Sequence, residues 1–211
     1  SSVYGIKNKK DVVETDTTRP LTDYSKYKLK CEKVLLKYQK YFQIVIVRPA
    51  TVCGFSIRQR LDLSVNILTN FAYFKNKILI FGGNQLRPNI HIKDMIRIYI
   101  LLLNADKKLV NGQIFNAGES NKSIKNIAKI VKKNFKGKID LKFKKTNDNR
   151  SYHVSSKKIK QRLKFKFKYK ITDAVKDLIK AFKKKLLLNT FENPEYHNIK
   201  MMKKINLRWR L

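Results

Sequence analysis

Two residues that could exchange a proton with a substrate lie one helical turn apart near the start of the chain. Tyr24 and Lys28 are four residues apart, a spacing that places a phenol and an ammonium on the same face of a helix. A free tyrosine, with a pKa of about 10, is a poor base at neutral pH, and a nearby positive charge lowers that pKa by favouring the phenolate. The pair therefore has the residue types of a neutral-pH acid–base catalyst, although the same spacing also fits an ordinary exposed helix pair. Tyr27 is the poorer candidate, because Cys31 rather than a lysine lies four residues after it.

Helix and strand patterns alternate through the first two thirds of the chain. Apolar residues from 23 to 41 recur at three- and four-residue steps, which predicts the helix that carries Tyr24. Residues 42–48 are largely β-branched and apolar, as expected of a strand buried on both faces of a parallel sheet. Further helices are predicted at 62–73, 93–103, 123–135 (capped by Ser123), 156–163 and 171–184, and further strands at 78–81, 90–92, 113–116 and 139–143. Residues 6–23 are predicted to form a loop, and residues after 186 follow no clear pattern. The alternation indicates an α/β architecture.

The composition limits the class of protein. A chain of 211 residues with 43% hydrophobic content can form one large domain, or one and a half small ones, around a core. No apolar run approaches the roughly 18 residues that span a bilayer. The first residues also lack the charged-then-apolar pattern of a signal peptide, so we expect a cytoplasmic protein with no membrane partner. Cys31 and Cys53 have no metal-ligand spacing, so we expect neither a metal site nor a disulfide framework.

The net charge of +34 raises the question of a nucleic-acid partner. Lysine is spread over nearly every segment, however, and it greatly outnumbers arginine, the residue favoured for reading bases and phosphates. No basic motif with interleaved aromatic residues stands out either. We therefore do not expect a nucleic-acid-binding domain, although a basic surface that binds polyanions remains open.

Several motifs follow one another in an order that resembles a known enzyme family. They are Ser-Ser-Val-Tyr-Gly at 1–5, an acidic and proline-containing loop with Glu14 and Pro20, Tyr24-x-x-x-Lys28 followed by Glu32, Arg48-Pro49, Ile-Phe-Gly-Gly at 80–83, Arg87 ahead of Ile-His-Ile-Lys-Asp at 90–94, and Phe-Asn-Ala-Gly at 115–118. Together they resemble the extended short-chain dehydrogenase/reductases, and within them the NAD-dependent nucleotide-sugar epimerases and dehydratases. The resemblance extends to about residue 182.

The resemblance implies a fold and a division of the chain. The fold would be the C-terminal part of a Rossmann-type doubly wound parallel sheet plus a smaller α/β substrate-binding region. Residues 1–55 would be the remainder of the NAD-binding domain with the YxxxK helix. Residues 56–185 would mainly bind substrate, with segments that return to the sheet, and 186–211 would be a tail. The glycine-rich turn that holds the cofactor pyrophosphate has no counterpart in the chain, so we expect the first half of the enzyme to be missing.

By the same resemblance, Tyr24 would be the acid/base that takes a proton from a sugar hydroxyl as a hydride passes to NAD. Lys28 would lower the pKa of Tyr24 and hold the nicotinamide ribose, and Pro49 would also contact the cofactor. NADP is not excluded, because the residue that reads the ribose hydroxyl would lie in the missing half. Family members usually form homodimers, so the resemblance also implies a homodimer.

Six residues correspond to positions that meet the nucleotide-sugar in the family: Ser2, Thr51, Asn66, Phe81, Arg87 and Arg150. Arg87 would grip a phosphate, for which its forked donors are suited. Thr51 replaces an asparagine that often contacts the diphosphate, and Arg150 is a second phosphate candidate. Two alternatives stay open: Phe81 could be a core residue, and Arg150 could pair with Asp148. His91 corresponds to a histidine that has a structural role in the family.

The residues before Val-Tyr-Gly favour one reaction over another. Family 4,6-dehydratases carry Asp and Glu there to eliminate water, whereas this chain has Ser1 and Ser2. The sequence therefore favours an epimerase or a related oxidoreductase, with the 4,6-dehydratase as an alternative. The family's catalytic serine or threonine would precede Ser1, so a catalytically inactive remnant with a basic, polyanion-binding surface is a further alternative.

Overall fold

Parallel strand pairs, each with helices packed on it, make up most of the fold. The computed structural model describes residues 1–7, 10–146 and 151–206. The strands within these ranges are β1 (Val45–Pro49), β2 (Thr51–Cys53), β3 (Lys77–Phe81), β4 (Leu86–His91), β5 (Gln113–Ala117), β6 (Ser120–Ser123) and β7 (Asp140–Lys144). The helices are α1 (Asp23–Lys37), α2 (Ser64–Lys75), α3 (Ile92–Leu103), α4 (Lys107–Val110), α5 (Ile124–Lys133), α6 (Lys157–Arg162), α7 (Ile171–Lys183) and α8 (Asn198–Lys204), with 3₁₀ helices at Ser2–Tyr4 and Pro194–Tyr196. The predicted α/β class with parallel strands is confirmed.

The strands pair in three groups. β1 lies parallel to β5, with Val45 opposite Gln113 and Pro49 opposite Ala117. β2 lies parallel to β4, which pairs on its other side with antiparallel β6. β3 lies parallel to β7. Because β1 runs directly into β2 through Ala50, the first two groups share one continuous backbone at residues 45–53.

Two apolar clusters hold the layers together. In the first, α2, α5 and α7 pack their apolar faces on β3, with Val65, Ile78, Val131 and Val175 completely buried. In the second, α3 and α6 pack around β1, β4 and β5; its members include Ile98, Phe115 and Ile159. The predicted cap of α5 is confirmed, because the Ser123 hydroxyl accepts a hydrogen bond from Asn126 N.

Helix α1 ends four residues earlier than its apolar pattern predicts. The chain turns at Tyr38, and β1 begins at Val45, so the predicted strand start at Phe42 is wrong. The ring of Tyr38 instead contacts those of Tyr41 and Phe42 at the surface, with centroids 6.1 and 6.3 Å away. Periodicity did not separate these residues from the helix, because an exposed aromatic cluster has the same composition as a helix face.

The apolar side of α1 faces solvent. Ser25 is the only buried residue of this helix, whereas Tyr27 and Val34 are each 53% exposed and Leu35 is 42% exposed. The predicted helical stripe therefore exists, but nothing in the described chain covers it. None of the helices in the described ranges is long and apolar enough to cross a membrane.

Residues 187–206 are folded although their sequence shows no pattern. Asn193 caps the 3₁₀ helix at Pro194–Tyr196 by accepting a hydrogen bond from Glu195 N, and α8 follows directly. Leu187 and Thr190 are buried, and the ring of Phe191 packs edge-on against Phe71. The segment is thus held by contacts with distant residues, which a local pattern does not record.

Candidate active site

A buried polar network fixes α1 to strand β1. The guanidinium of Arg48, near the end of β1, donates to both carboxylate oxygens of Glu32 on α1, the shortest distance being 2.7 Å. It also donates to the Tyr4 hydroxyl at 2.8 Å and lies 4.9 Å from the centre of the Tyr4 ring. The Tyr4 hydroxyl in turn donates to Asn116 Oδ1 at 2.7 Å. Four motifs that suggested the family resemblance therefore meet in one place.

The same network ties down the loop that leads to α1. Asn116 N donates to the Glu14 carboxylate at 2.7 Å, and Arg48 donates to the Glu14 carbonyl at 3.2 Å. Burial raises the pKa of the Tyr4 phenol, although Arg48 and Asn116 oppose that rise. Burial by itself would lower the pKa of Arg48, but its hydrogen bonds to Glu32 and Tyr4 raise it. Arg48 therefore stays charged and Tyr4 stays a neutral donor.

The first turn of α1 presents Tyr24 and Lys28. Thr22 and Ser25 form a reciprocal capping box that fixes where the helix begins. Lys28 Nζ lies 5.8 Å from the centre of the Tyr24 ring, on the same face of the helix. Within the described ranges, neither the Tyr24 hydroxyl nor the Lys28 ammonium has a hydrogen-bond or ion-pair partner. Both groups are therefore available to a ligand.

A cavity of about 710 Å³ opens in front of this pair. Its lining includes six of the residues selected from the sequence: Ser2, Tyr24, Lys28, Pro49, Thr51 and Asn66. These residues come from the chain start, α1, β1, β2 and α2, so the fold brings together groups that are as many as 64 positions apart. The cavity is large enough for a small-molecule substrate.

A second cavity, of about 460 Å³, adjoins the first. Thr51, Leu63 and Tyr152 line both cavities. Phe81 and Arg87 line the second one, where the Arg87 guanidinium lies 5.7 Å from the centre of the Tyr152 ring. Phe81 is 51% exposed, so the alternative that it is a core residue is wrong.

Asn66 holds a loop as well as lining the larger cavity. Its side chain is buried, and its Oδ1 accepts a hydrogen bond from Gly54 N at 3.1 Å. Its Nδ2 donates to the Arg60 carbonyl at 2.7 Å. The amide therefore spans both ends of the loop between β2 and α2. Arg150, the remaining sequence-predicted residue, lies outside the described residues.

Several cavity residues were not selected from the sequence. Arg58 and Arg60 line the larger cavity, Asp62 lines the smaller one, and Tyr152 lines both. The available signal was the cluster of two arginines directly after a predicted strand and turn, which the sequence analysis treated only as a loop. Tyr152 carried no signal of its own, because its contact with Arg87 joins residues 65 positions apart.

His91 and Cys53 are packed into the structure rather than presented to a cavity. His91 Nδ1 accepts a hydrogen bond from Lys93 N at 3.1 Å, its ring stacks on Tyr169, and its Nε2 lies 3.4 Å from Asp177 Oδ2. Burial lowers the pKa of His91, although Asp177 opposes the shift. Burial, followed by the charge of Glu119, raises the pKa of the Cys53 thiol to about 12. In the described part of the chain, no group of three or more His, Cys, Asp or Glu residues could hold a metal ion.

Sequence and structure comparisons identify the family. Residues 1–118 match the NAD dependent epimerase/dehydratase family. An uncharacterized UDP-glucose epimerase of Bacillus subtilis is 34% identical over 134 residues, which cover 62% of this chain and 40% of that protein. A UDP-glucose 4-epimerase of Lactobacillus helveticus is 26% identical over 135 residues, covering 56% and 41%.

Solved structures agree with the sequence matches. A UDP-glucuronic acid 4-epimerase from Bacillus cereus, in complex with UDP-glucuronic acid and NAD, superposes with a TM-score of 0.77 at 27% identity, over 87% of this chain and 59% of that chain. A dTDP-glucose 4,6-dehydratase from Bacillus anthracis, in complex with NAD, gives 0.74 at 20% identity, over 94% and 62%, and at that identity it shows the fold alone.

The chain spans about two fifths of the length of these curated relatives and about three fifths of these solved structures. The family match nevertheless covers more than half of the 211 residues, and the motifs that define it converge on one network and one cavity. The chain belongs to the NAD-dependent epimerase/dehydratase family.

Proposed function

We propose that this chain is the catalytic and substrate-binding part of an NAD-dependent epimerase that acts on a nucleotide-diphosphate sugar. The observation that carries the proposal is the larger cavity, where Tyr24 and Lys28 have unpartnered polar groups beside Ser2, Thr51 and other polar residues. Tyr24 exchanges a proton with the sugar hydroxyl that is oxidised and then re-reduced. Because both residues before Val-Tyr-Gly are serines, without the acidity needed to eliminate water, an epimerase is favoured over a 4,6-dehydratase.

The two adjoining cavities suggest how the substrate lies. The sugar occupies the larger cavity beside Tyr24, and the base occupies the smaller one beside Phe81. The diphosphate then crosses the boundary that Thr51 and Tyr152 line, with Arg87 on the base side. A substrate of this class is supported by a similar solved structure, whose complex contains both UDP-glucuronic acid and NAD.

The residues present fit the part of NAD that meets the substrate. Lys28 offers three unpaired donors beside the Tyr24 ring, a suitable donor set for the ribose hydroxyls, and Pro49 lines the same cavity. NAD or NADP bound there would supply the acceptor for the hydride and its return to the sugar. The chain has no Gly-x-Gly-x-x-Gly sequence, the pyrophosphate-binding turn of Rossmann folds.

We also propose how the chain is divided between cofactor and substrate binding. Residues 1–55 belong to the NAD-binding Rossmann unit, in which β1 and β5 are part of a larger doubly wound sheet. Residues 56–185 mainly form the substrate-binding region, and residues 186–211 are an appended segment. A homodimer is part of the same proposal, by family membership.

The test is an assay of the protein as its source cells make it, whatever its length, with NAD and a panel of UDP-, dTDP- and GDP-sugars. We expect an epimerised nucleotide-sugar, detected by chromatography. Tyr24→Phe should lower kcat by about 10²- to 10⁴-fold with little change in substrate binding, because it removes the transferable proton and little else. The matched control is Tyr27→Phe, one residue from Lys28 on the exposed side of α1, which should leave kcat unchanged.

Other outcomes distinguish the alternatives. A 4-keto-6-deoxy product would make the protein a 4,6-dehydratase. Absence of turnover in protein that binds nucleotide-sugar would support an inactive remnant. Full activity of Tyr24→Phe would contradict the proposed acid/base.

A further inference from the structure

Arg60 lies where the two cavities meet and is held in one orientation. Its Nε and Nη2 donate to the two carboxylate oxygens of Asp62 at 2.9 and 3.1 Å, a forked pair that fixes the plane of the guanidinium. Its Nη1 has no hydrogen-bond partner among the described residues. Arg60 lines the larger cavity and Asp62 the smaller one. The pair therefore stands at the boundary with one strong donor unused.

Asp62 is in turn held by the segment that follows residue 186. Its Oδ2 accepts a hydrogen bond from the backbone N–H of Asn198, the first residue of α8, at 3.1 Å. Burial by itself would raise the pKa of Asp62, but the hydrogen bonds from Arg60 and Asn198 N lower it below its ordinary value. The carboxylate thus stays ionised at neutral pH and joins the cavity loop to α8.

Three further contacts bind the same loop to the same segment. Arg58 donates to the Glu195 carbonyl at 3.1 Å and to Asn198 Oδ1 at 3.2 Å. Leu61 N donates to the Tyr196 carbonyl at 2.9 Å, and the Leu61 side chain is completely buried. The segment from Pro194 to Lys204 therefore contacts residues 58, 61 and 62 of the loop, and Arg60 lies between them in the sequence.

We propose that Asp62 and the first turn of α8 are positioning groups that hold Arg60 so that its Nη1 donates to an oxygen of the substrate diphosphate. The inference rests on the proposed function, because that function places the diphosphate at the boundary of the two cavities. The segment after residue 186, whose sequence shows no pattern, thereby has a role in binding substrate. Arg60 contacts the substrate, whereas Asp62 acts through Arg60.

One substitution removes the key contact and leaves the helix intact. Asn198→Pro deletes the backbone N–H that bonds to Asp62, and proline is well accepted at the first position of a helix. His197 before it is already extended, with φ −133° and ψ 101°, as a residue before proline must be. Asn198→Ala is the matched control, because it deletes the same side-chain contact to Arg58 and keeps the backbone N–H. Asp62→Asn, on the other side of the contact, is a second variant in case the proline variant fails to fold.

The primary measurement is the affinity of the chain for UDP and for uridine, by calorimetry. We expect Asn198→Pro to weaken UDP binding about five- to tenfold relative to Asn198→Ala, because Arg60 loses its fixed orientation, and to leave uridine binding unchanged. Equal UDP affinities of the two variants would overturn the inference and leave the proposed function standing. Equal weakening of UDP and uridine would also overturn it, since that result indicates general loosening of the site.

Hydrogen exchange provides a readout that does not depend on ligand. Backbone amides of residues 58–62 should exchange faster in Asn198→Pro than in Asn198→Ala. Unchanged exchange would contradict the positioning role. If the unaltered chain binds neither UDP nor UDP-glucose, the proposed function fails, and the exchange comparison still decides whether α8 holds the loop.

Discussion

Arg48 is the residue on which the attachment of the candidate catalytic helix depends. Its side chain is 5% exposed and that of its partner Glu32 is 12% exposed, so both charges are almost completely removed from water. Removing one partner of a buried ion pair leaves the other charge without compensation, which is more costly than the pair itself is stabilising. The stability of the fold should therefore be sensitive to substitutions in this network.

Replacing Arg48 should destabilise the protein strongly. We expect Arg48→Met to lower the free energy of unfolding by about 3–5 kcal/mol, measured by urea denaturation. The double variant with Glu32→Leu should recover part of that loss, because it removes the stranded carboxylate as well. As a control, Lys26→Ala breaks an exposed ion pair with Asp23 and should change stability by less than about 1 kcal/mol. Similar losses in both single variants would contradict the inferred role of the network.

His91 should make stability depend on pH. The pKa of His91 is lowered from its ordinary 6.5 by burial, so the unfolded chain binds the proton more readily than the folded one. The stabilising contribution is therefore complete above about pH 6.5 and is lost as the pH falls below that value. His91→Asn removes the titrating ring and keeps a good helix cap for α3, so it should flatten the dependence of stability on pH between about 5.5 and 7.

The control for this prediction is His153→Asn. The side chain of His153 is 31% exposed, so its ring is much less removed from water than the completely buried ring of His91. An unchanged slope in His91→Asn would show that another group carries the pH dependence.

At the scale of single elements, α1 is the helix whose environment the sequence could not reveal. Its three- and four-residue period correctly predicted a helix, but periodicity records which residues share a face and not what covers that face. The same limit applies to the residues after 186, where Leu187 and Thr190 are buried by contacts with distant residues. By contrast, the cap of α5 was predictable, because Ser123 and Asn126 lie within one helical turn.

The exposed side of α1 should tolerate a charge. We expect Leu35→Glu to leave the unfolding temperature within a few degrees of the unaltered chain, because Leu35 is 42% exposed and loses little burial. The matched control, Leu178→Glu on α7, places a charge at a completely buried position and should prevent folding. A large loss of stability in Leu35→Glu would mean that the face is covered in solution.

At the scale of the whole molecule, charge opposes compactness. A net charge of +34 spread over the surface repels itself, and salt screens that repulsion, since the screening length falls from about 10 Å at 0.1 M to about 3 Å at 1 M. We therefore expect the unfolding temperature to rise with sodium chloride concentration, measured by calorimetry.

A charge-reduced variant provides the comparison. Lys129→Glu with Lys180→Glu changes two exposed positions and lowers the net charge by four. It should unfold at a higher temperature at low salt and respond less to added salt. An equal response in both proteins would show that salt acts through something other than self-repulsion.

Some features of the whole molecule were predictable from the sequence and others were not. The α/β class and the parallel pairs were predictable, because β-branched runs such as residues 44–47 alternate with amphipathic helices. The contact of Asp62 with Asn198 was not, because it joins residues 136 positions apart and neither belongs to a recognised motif. Tyr24 and Lys28 were found by their local spacing, whereas the role inferred for Arg60 depends on the distant contact between Asp62 and Asn198.

The network around Arg48 has a consequence for the order in which the protein can be made. Tyr4 bonds to Asn116, 112 positions later, and Asn116 donates in turn to the Ser155 carbonyl. A ribosome synthesises the chain from its N-terminus, so α1 leaves the exit tunnel long before the partners that anchor it. Until Asn116 has emerged, the Tyr4 hydroxyl lacks the acceptor that it meets in the folded protein. The helix that carries Tyr24 is thus translated before some of the residues that complete the network around it.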